Sequence, residues 1–299
     1  MDYKRIITSR RFRIKILSFL AWLPNRLMLL LQYHIYMNRK LDLVHPKRFT
    51  EKIQLYKLKY RIPAMLQCTD KYEVRKYIKD QKLENILIPL IGVYSKVEEI
   101  DFDSLPNCFV AKTTDGGGNN QVLLCKNKDS LNNKLFVNKL NLWLKAPKPK
   151  KPIGREWAYE NGYPRRIVIE QLLREEGDKE LIDYKFWCFN GEPRYCQVIG
   201  GRSEIETIDF FDMNWIHQPF RGLNRACRNA IITPKKPIRF EEMKDIARKL
   251  SNAFPFVRVD LYEVSNKIYF GELTFYPASG YGGFTPDSYD YELGSYLNI

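Results

Sequence analysis

The chain has only three histidines in 299 residues, His34, His45 and His217, far apart in sequence. Their scarcity leaves a zinc site or a Ser/His/Asp triad without support. None of the six cysteines, Cys68, Cys108, Cys125, Cys188, Cys196 and Cys227, stands in a Cys-x-x-Cys pair. Four of them lie in apolar, strand-like runs. This suits buried, reduced thiols in a cytosolic protein rather than a disulfide framework. A long apolar run is missing too. Residues 14–37 are strongly apolar, but Pro24-Asn25-Arg26 interrupts them, so neither half reaches the roughly 20 residues that span a bilayer. No small-residue cleavage site follows the basic lead, which argues against a secretory signal. The P-loop spacing Gly-x-x-x-x-Gly-Lys-Ser/Thr and the dinucleotide pattern Gly-x-Gly-x-x-Gly are both absent. There is no internal repeat.

Acidic residues are outnumbered. Lys and Arg total 49 against 35 Asp and Glu, a net charge of +14. Such a protein attracts polyanions: nucleic acid, acidic glycan or anionic lipid. Much of the excess lies at residues 4–13, 39–59 and 145–151. The last stretch, residues 146–152, is proline-spaced and suits a solvated linker or a glycan-facing loop. The 14% aromatic content raises a nucleic-acid reading. However, the aromatics alternate within strands like core residues, and no binding module is visible. A hydrophobic content of 44% is ordinary, and the length allows a real core in one large domain or two lobes.

What is present is concentrated near the C-terminus. Phe256-Val257-Arg258-Val259-Asp260 and Phe270-Gly271-Glu272-Leu273-Thr274 flank the polar pair Ser265-Asn266, a β-hairpin pattern. Asp260 and Glu272 fall on opposite strands, and Arg258 shares a face with Asp260. Two hard oxygens on stiff strands suit Mg²⁺ shared with phosphates, and equally suit a surface hairpin with solvated charges. Upstream, the apolar run ending at Lys112 opens onto Thr113-Thr114-Asp115-Gly116-Gly117-Gly118-Asn119-Asn120. Three successive glycines free backbone N–H groups to turn onto an anion, or make a flexible hairpin tip.

The remaining pattern is mixed. Thr50, with Glu51 in the first turn, caps a helix over 50–59. Asp70-Lys71-Tyr72-Glu73 forms a capping box before the stripe Val74, Tyr77, Ile78, which puts Lys71 at a helix N-terminus. Strands are expected at 87–93, 167–171 and 183–189, with an Asn190-Gly191 turn returning through 194–199. Helices are expected at 130–144 and 241–252. At the N-terminus two short helices are expected, the second starting near Pro24. Ile16, Leu17, Phe19, Leu20 and Leu23 follow helical spacing, and they would cover the core with some peripheral membrane contact.

Phe49-Thr50-Glu51-Lys52-Ile53-Gln54, Asp70-Lys71, Val74-Arg75, residues 110–118, Ile169-Glu170, Asp183-Tyr184-Lys185-Phe186 and the hairpin occur in this order. Together they resemble the ATP-grasp superfamily. More narrowly they resemble its TupA-like branch, named for teichuronopeptide synthesis and found among surface-polysaccharide proteins. The resemblance runs from about Pro46 onward. It implies an α/β (α+β) ATP-grasp fold, two lobes with mainly antiparallel sheets enclosing a nucleotide cleft, plus an N-terminal helical segment. The implied divisions are 1–48 (helical), 49–106 (α/β part of the core), 107–172 (mobile lobe with the glycine loop) and 173–299 (core lobe with the metal site).

The resemblance also implies ATP and Mg²⁺, a carboxylate attacking the γ-phosphate, and an amine capturing the acyl phosphate. Residue by residue, Lys71 and Lys112 match phosphate-binding lysines, and Gly116, Gly117 and Gly118 match the loop over the triphosphate. Glu170, Gln171, Leu172 and Leu173 match the strand that meets adenine, and Asp183 falls near the ribose. Arg258 matches the arginine beside the transferring phosphate, and Lys185, two residues after Asp183 and on the same face, is the second catalytic candidate, within reach of phosphate or substrate. Asp260 and Glu272 match the metal ligands. Thr274 stands where many members carry Asn, a shorter and weaker ligand.

The implied function is an ATP-dependent carboxylate–amine ligase. It would join an amino acid to an acidic glycan (uronate) or glycolipid-linked sugar in capsule or other surface-polysaccharide synthesis. The expected location is cytoplasmic, at the inner face of the membrane, with no nucleic-acid partner. The rivals are a glycosyltransferase using Asp101-Phe102-Asp103, and a kinase sharing the same ATP residues. Arg202, Trp215, Arg221 and Arg225 are acceptor candidates or solvated surface. Asp260→Asn and Glu272→Gln are both expected to leave folding intact.

Overall fold

The computed structural model describes residues 17–115, 121–147, 153–160, 162–175, 177, 181–201, 206–223 and 227–299. Its helices include α1 (Asn25–Met37), α2 (Phe49–Lys59), α3 (Pro63–Thr69), α4 (Val74–Asp80), α5 (Asn133–Lys145), α6 (Trp157–Glu160), α7 (Phe240–Ser251) and α8 (Ser288–Tyr296). Strands β1 (Leu90–Tyr94), β2 (Phe109–Thr113), β3 (Val122–Cys125) and β4 (Ile167–Gln171) form one antiparallel sheet in the order β1-β4-β2-β3. Strand alternation divides its faces. Phe109, Ala111, Ile167 and Ile169 pack against Phe136, Leu140 and Trp143 of α5. Val110 pairs with Glu170 and Lys112 with Val168, so the lysine and the glutamate share the other face.

The second sheet uses β5 (Asp183–Phe189), β6 (Glu192–Gly200), β7 (Thr207–Asp212), β9 (Phe256–Val264) and β10 (Lys267–Thr274), in the order β10-β9-β5-β6-β7. Strands β8 (Arg221–Gly222) and β11 (Phe284–Thr285) make a separate short ribbon. Tyr184, Phe186, Val257, Val259 and Leu261 join the core of α7, whose Phe240, Met243, Ile246, Ala247 and Leu250 recur at helical spacing. Each buried Phe, Met, Ile, Leu or Val side chain among them contributes roughly 1.5–3 kcal/mol by leaving water. Both tight hairpins carry positive φ at their two loop residues, Asn190-Gly191 and Ser265-Asn266. That geometry matches the twist of the flanking strands.

Several local expectations shift. Helix α2 starts at Phe49, and the Glu51 carboxylate accepts from the Lys47 and Arg48 amides at 2.9 and 3.0 Å. Thr50 is therefore not the cap. Its amide and hydroxyl donate to the two oxygens of Asp290 on α8 at 2.9 and 2.7 Å. Burial pushes the Asp290 carboxyl up to about 6, against those hydrogen bonds. Only half of the Asp70–Glu73 box forms. Asp70 accepts from the Tyr72 and Glu73 amides at 2.9 and 3.0 Å, but Glu73 turns to Arg166 at 2.7 Å. β1 starts at Leu90, after Pro89, which has no N–H for a ladder. Asn132 caps α5 through the Leu135 amide, so that helix starts at Asn133.

At the N-terminus, residues 17–19 are helical and α1 follows Pro24 directly. Leu17 is buried, whereas Phe19 and Trp22 are 80% and 66% exposed. Arg155 anchors the bend, donating to the Ala21 and Leu23 carbonyls at 2.7 and 3.0 Å. No described helix is long and apolar enough to cross a membrane.

Candidate active site

One β-bulge aims the acidic pair. Phe270 faces Leu261, so unbroken pairing would place Glu272 opposite Val259. The register shifts between Phe270 and Glu272, and Glu272 comes to face Asp260 instead. Gly271 allows this, since a Cβ there would lie 3.0 Å from the Asp260 carbonyl. β5 then lays Lys185 beside Asp260 on the other side, and Thr274 pairs with Arg258. Asp183, Lys185, Arg258, Asp260, Glu272 and Thr274 thus share one sheet face.

They form one polar network. Arg258 grips Asp260 with a fork, Nε to Oδ1 and Nη2 to Oδ2, both at 2.7 Å. The same Nη2 reaches Glu272 Oε1 at 3.2 Å and Thr274 Oγ1 at 3.0 Å. Thr274 donates its hydroxyl hydrogen to Glu272 at 3.1 Å. Lys185 pairs with Asp260 by a short contact and with Asp183 at 3.3 Å. Asp183, Lys185 and Asp260 are all buried, while the Glu272 side chain is 48% exposed. Burial raises the Glu272 carboxyl, but Arg258, Lys185 and Lys71 outweigh it and hold it below its ordinary value. Burial likewise opposes the Arg258 charge, yet Asp260, Glu272 and Asp183 keep it firmly protonated.

The other wall of the cleft is the first sheet with α4. Lys112 Nζ meets Glu170 Oε2 at 2.5 Å, and Arg75 meets Glu170 Oε1 at 3.3 Å. The Lys71 amide donates to the Thr114 carbonyl at 2.8 Å, tying the start of α4 to the end of β2. Burial pushes the Lys71 ammonium down; Glu272 opposes that and Lys112 adds to it. Lys71 thus lies within electrostatic reach of both walls. Lys71, Arg75, Ile88, Lys112, Glu170 and Gly271 line a narrow cleft touching both sheets. Gln171 is exposed at the end of β4, with Leu172 and Leu173 half-buried beyond it. A roomier cavity of about 360 Å³ lies elsewhere, around Glu192, Tyr195, Asp212 and Arg248. Its Arg248 already pairs with Glu192, whereas the narrower cleft gathers Lys71, Arg75 and Lys112 and runs up to Gly271, the neighbour of Glu272.

Gly116, Gly117 and Gly118 lie outside the described residues, as do Arg202, Arg225 and residues 148–152. Arg221 is exposed on β8, and Trp215 stacks on Phe211 at 4.2 Å. Asp101 does not present its carboxylate with Asp103 to a ligand; its Oδ1 accepts from the Asp103 amide at 3.1 Å in a surface turn. Among the described residues no three His, Cys, Asp or Glu side chains form a self-sufficient metal cage. Arg75, in a quoted motif, and Lys57, three residues beyond one, received no role from the sequence; Arg75 lines the cleft and the Lys57 side chain is fully enclosed. Arg75 lies in the first turn of α4, and Lys71 in the turn just before that helix.

The family profile TupA-like ATPgrasp matches residues 51–298. No curated protein matches the chain. Among solved structures, D-alanine–D-alanine ligase from Bacillus anthracis is similar at 18% identity and a TM-score of 0.43, over 70% of this chain and 57% of that one. The corresponding ligase from Helicobacter pylori gives 15% and 0.45, over 84% and 70%. N5-carboxyaminoimidazole synthetase from Staphylococcus aureus gives 16% and 0.41, over 75% and 50%. Likeness at this level carries no argument about activity.

Proposed function

Because the chain belongs to the TupA-like ATP-grasp family, we propose that it is an ATP-dependent carboxylate–amine ligase working through an acyl phosphate. The observation that carries this is the convergence of Lys185, Arg258, Asp260 and Glu272 on one sheet face, beside a cleft that Lys71, Arg75 and Lys112 line and that reaches this sheet at Phe270 and Gly271. Lys71 and Lys112 hold ATP phosphates. Gln171, Leu172 and Leu173 meet the base, Glu170 orients Lys112, and Asp183 lies toward the ribose. Arg258 and Lys185 stabilise charge on the transferring phosphoryl group. The sheet β1-β4-β2-β3 is the lobe that opens, and because β1 (Leu90–Tyr94) belongs to it the lobe takes in part of 49–106 as well as strands from 107–172.

The donor set fits Mg²⁺ shared with a nucleotide. Glu272 turns an oxygen to the cleft, Asp260 offers a further lone pair, and Thr274 offers a hydroxyl. The bound ion would neutralise phosphate charge. Asp183, Asp260 and Glu272 are already matched in number by Lys185, Arg258 and Lys71, so a cation arriving alone gains little. Nucleotide and metal are therefore taken up together.

The substrates proposed are an amino acid and an acidic glycan such as a uronate, in capsule or related surface-polysaccharide synthesis. Net charge of +14 supports the acidic partner. The test is mass spectrometry of full-length protein with ATP, Mg²⁺, uronates and amino acids. An amide with one ADP per product is expected. Sugar transfer without ATP, or a stable phosphoproduct without amide, would sink the reading.

Exposed Phe19 and Trp22 beside basic residues support peripheral contact at the inner membrane face. The protein is expected to float with anionic vesicles and not with neutral ones, and Phe19→Ser/Trp22→Ser to weaken flotation by roughly tenfold or more. Equal flotation of the variant would remove the contact.

A further inference from the structure

Glu170 is a buried carboxylate on the cleft, and each of its oxygens faces a different cation. Oε2 meets Lys112 Nζ at 2.5 Å, and Oε1 meets Arg75 Nη1 at 3.3 Å. Its side chain is only 6% exposed, and all three residues line the cleft. The two cations come from different parts of the fold. Lys112 stands on β2, on the same sheet face as Glu170. Arg75 comes from α4, whose Val74, Tyr77 and Ile78 pack into the core of α7 and the second sheet. The Tyr77 hydroxyl fixes that helix to α7, donating to the Leu250 carbonyl at 3.0 Å.

The two ion pairs are unequal. Lys112 is in tight contact with its oxygen. Arg75 stands further off, and the nitrogen that faces Glu170, Nη1, also donates to the Ile88 carbonyl at 2.9 Å. A guanidinium carries five N–H donors in a rigid fork, so Arg75 has donors left with which to close on Glu170. Phosphate binding sets up a conflict at this point. The Lys112 ammonium must loosen from Glu170 to meet a phosphate oxygen. A buried carboxylate stripped of its cation is strongly disfavoured. Counted together, Lys112, Arg75 and Glu170 leave one positive charge over; without Arg75 they leave none.

We propose that Arg75 is a positioning residue that takes over Glu170 as Lys112 turns to phosphate, an inference that rests on the ATP site of the ligase reading above. Arg75 supplies the counter-charge, Glu170 releases Lys112, and the surplus positive charge then belongs to the group that meets ATP. Arg75 acts through its two neighbours and not by contact with the nucleotide.

Calorimetry of the full-length protein with MgATP tests this as a double-mutant cycle. Arg75→Met is expected to weaken MgATP binding roughly tenfold in the wild-type background. In a Glu170→Gln background it should change affinity by about threefold or less, because no carboxylate remains to be released. Arg75→Lys keeps the charge and should stay within about threefold of wild type. A loss of equal size in both backgrounds would mean that Arg75 meets the nucleotide itself, and overturns the proposal. So does an unchanged affinity in Arg75→Met.

Urea midpoints without nucleotide give a second measurement. In Lys112→Ala the buried carboxylate still has Arg75 to draw on. In Arg75→Met/Lys112→Ala it has neither cation. The midpoint of the double variant should therefore fall by more than the two single falls added together. Additive falls overturn the take-over while leaving the ligase reading in place. No MgATP binding by wild type would instead overturn the nucleotide site of that reading, and with it the use made of Arg75.

Discussion

Asp260→Asn is expected to destabilise the fold by about 3–5 kcal/mol as well as remove ADP formation. Asp260 is only 1% exposed, and its oxygens take both arms of Arg258 and the Lys185 ammonium. An asparagine keeps one acceptor and turns an amide donor toward buried cations. Arg258 is left with Glu272 and Thr274, and Lys185 with Asp183 at 3.3 Å. This corrects the expectation that the substitution spares folding, because sequence spacing carries no information about enclosure. The urea midpoint should fall with the slope unchanged. Glu272→Gln is the contrast. Its side chain is half exposed and glutamine still accepts from Arg258, so stability should move by about 1 kcal/mol or less. Mg²⁺-dependent ADP formation in a substrate mixture should still drop roughly 1,000-fold. If both variants unfold at the wild-type urea concentration, the buried ion network is not holding this sheet.

The contrast marks what was legible in the sequence. Alternation over residues 256–264 and 267–274, with Ser265-Asn266 between, specifies the hairpin, since strand period and turn chemistry are local properties. The bulge at Gly271 is not legible, because one glycine does not declare whether the register slips. Yet that slip is what turns Glu272 toward Asp260. Thr50 reads as a cap from its neighbours alone; its actual partner, Asp290, lies 240 residues away. Glu73 is likewise drawn from its box by Arg166. Leu17 and Phe19 are close neighbours in an apolar run, but only Leu17 is buried. Periodicity names an apolar stripe without saying where the core ends. Lys57 escaped notice for the same reason: a lysine on a short helix reads as solvated until its enclosure is seen.

Lys112→Ala should weaken ATP binding roughly 100-fold, the loss of one charge-assisted contact to phosphate. The structure adds a complication that the sequence hides. Lys112 also neutralises buried Glu170, at 2.5 Å, and its removal leaves that carboxylate to Arg75 at 3.3 Å. Weaker nucleotide binding in the single variant therefore has two origins, a missing phosphate contact and an uncompensated acid in the cleft. The double variant Lys112→Ala/Glu170→Gln separates them. Removing the acid should recover most of the lost stability, because a neutral amide no longer needs the lysine. It should not recover ATP affinity, measured by calorimetry with Mg²⁺ present, if Lys112 contacts phosphate directly. Recovery to within about threefold of wild type would instead make Lys112 a counter-ion for Glu170, and would leave Lys71 and Arg75 as the cations that meet the nucleotide.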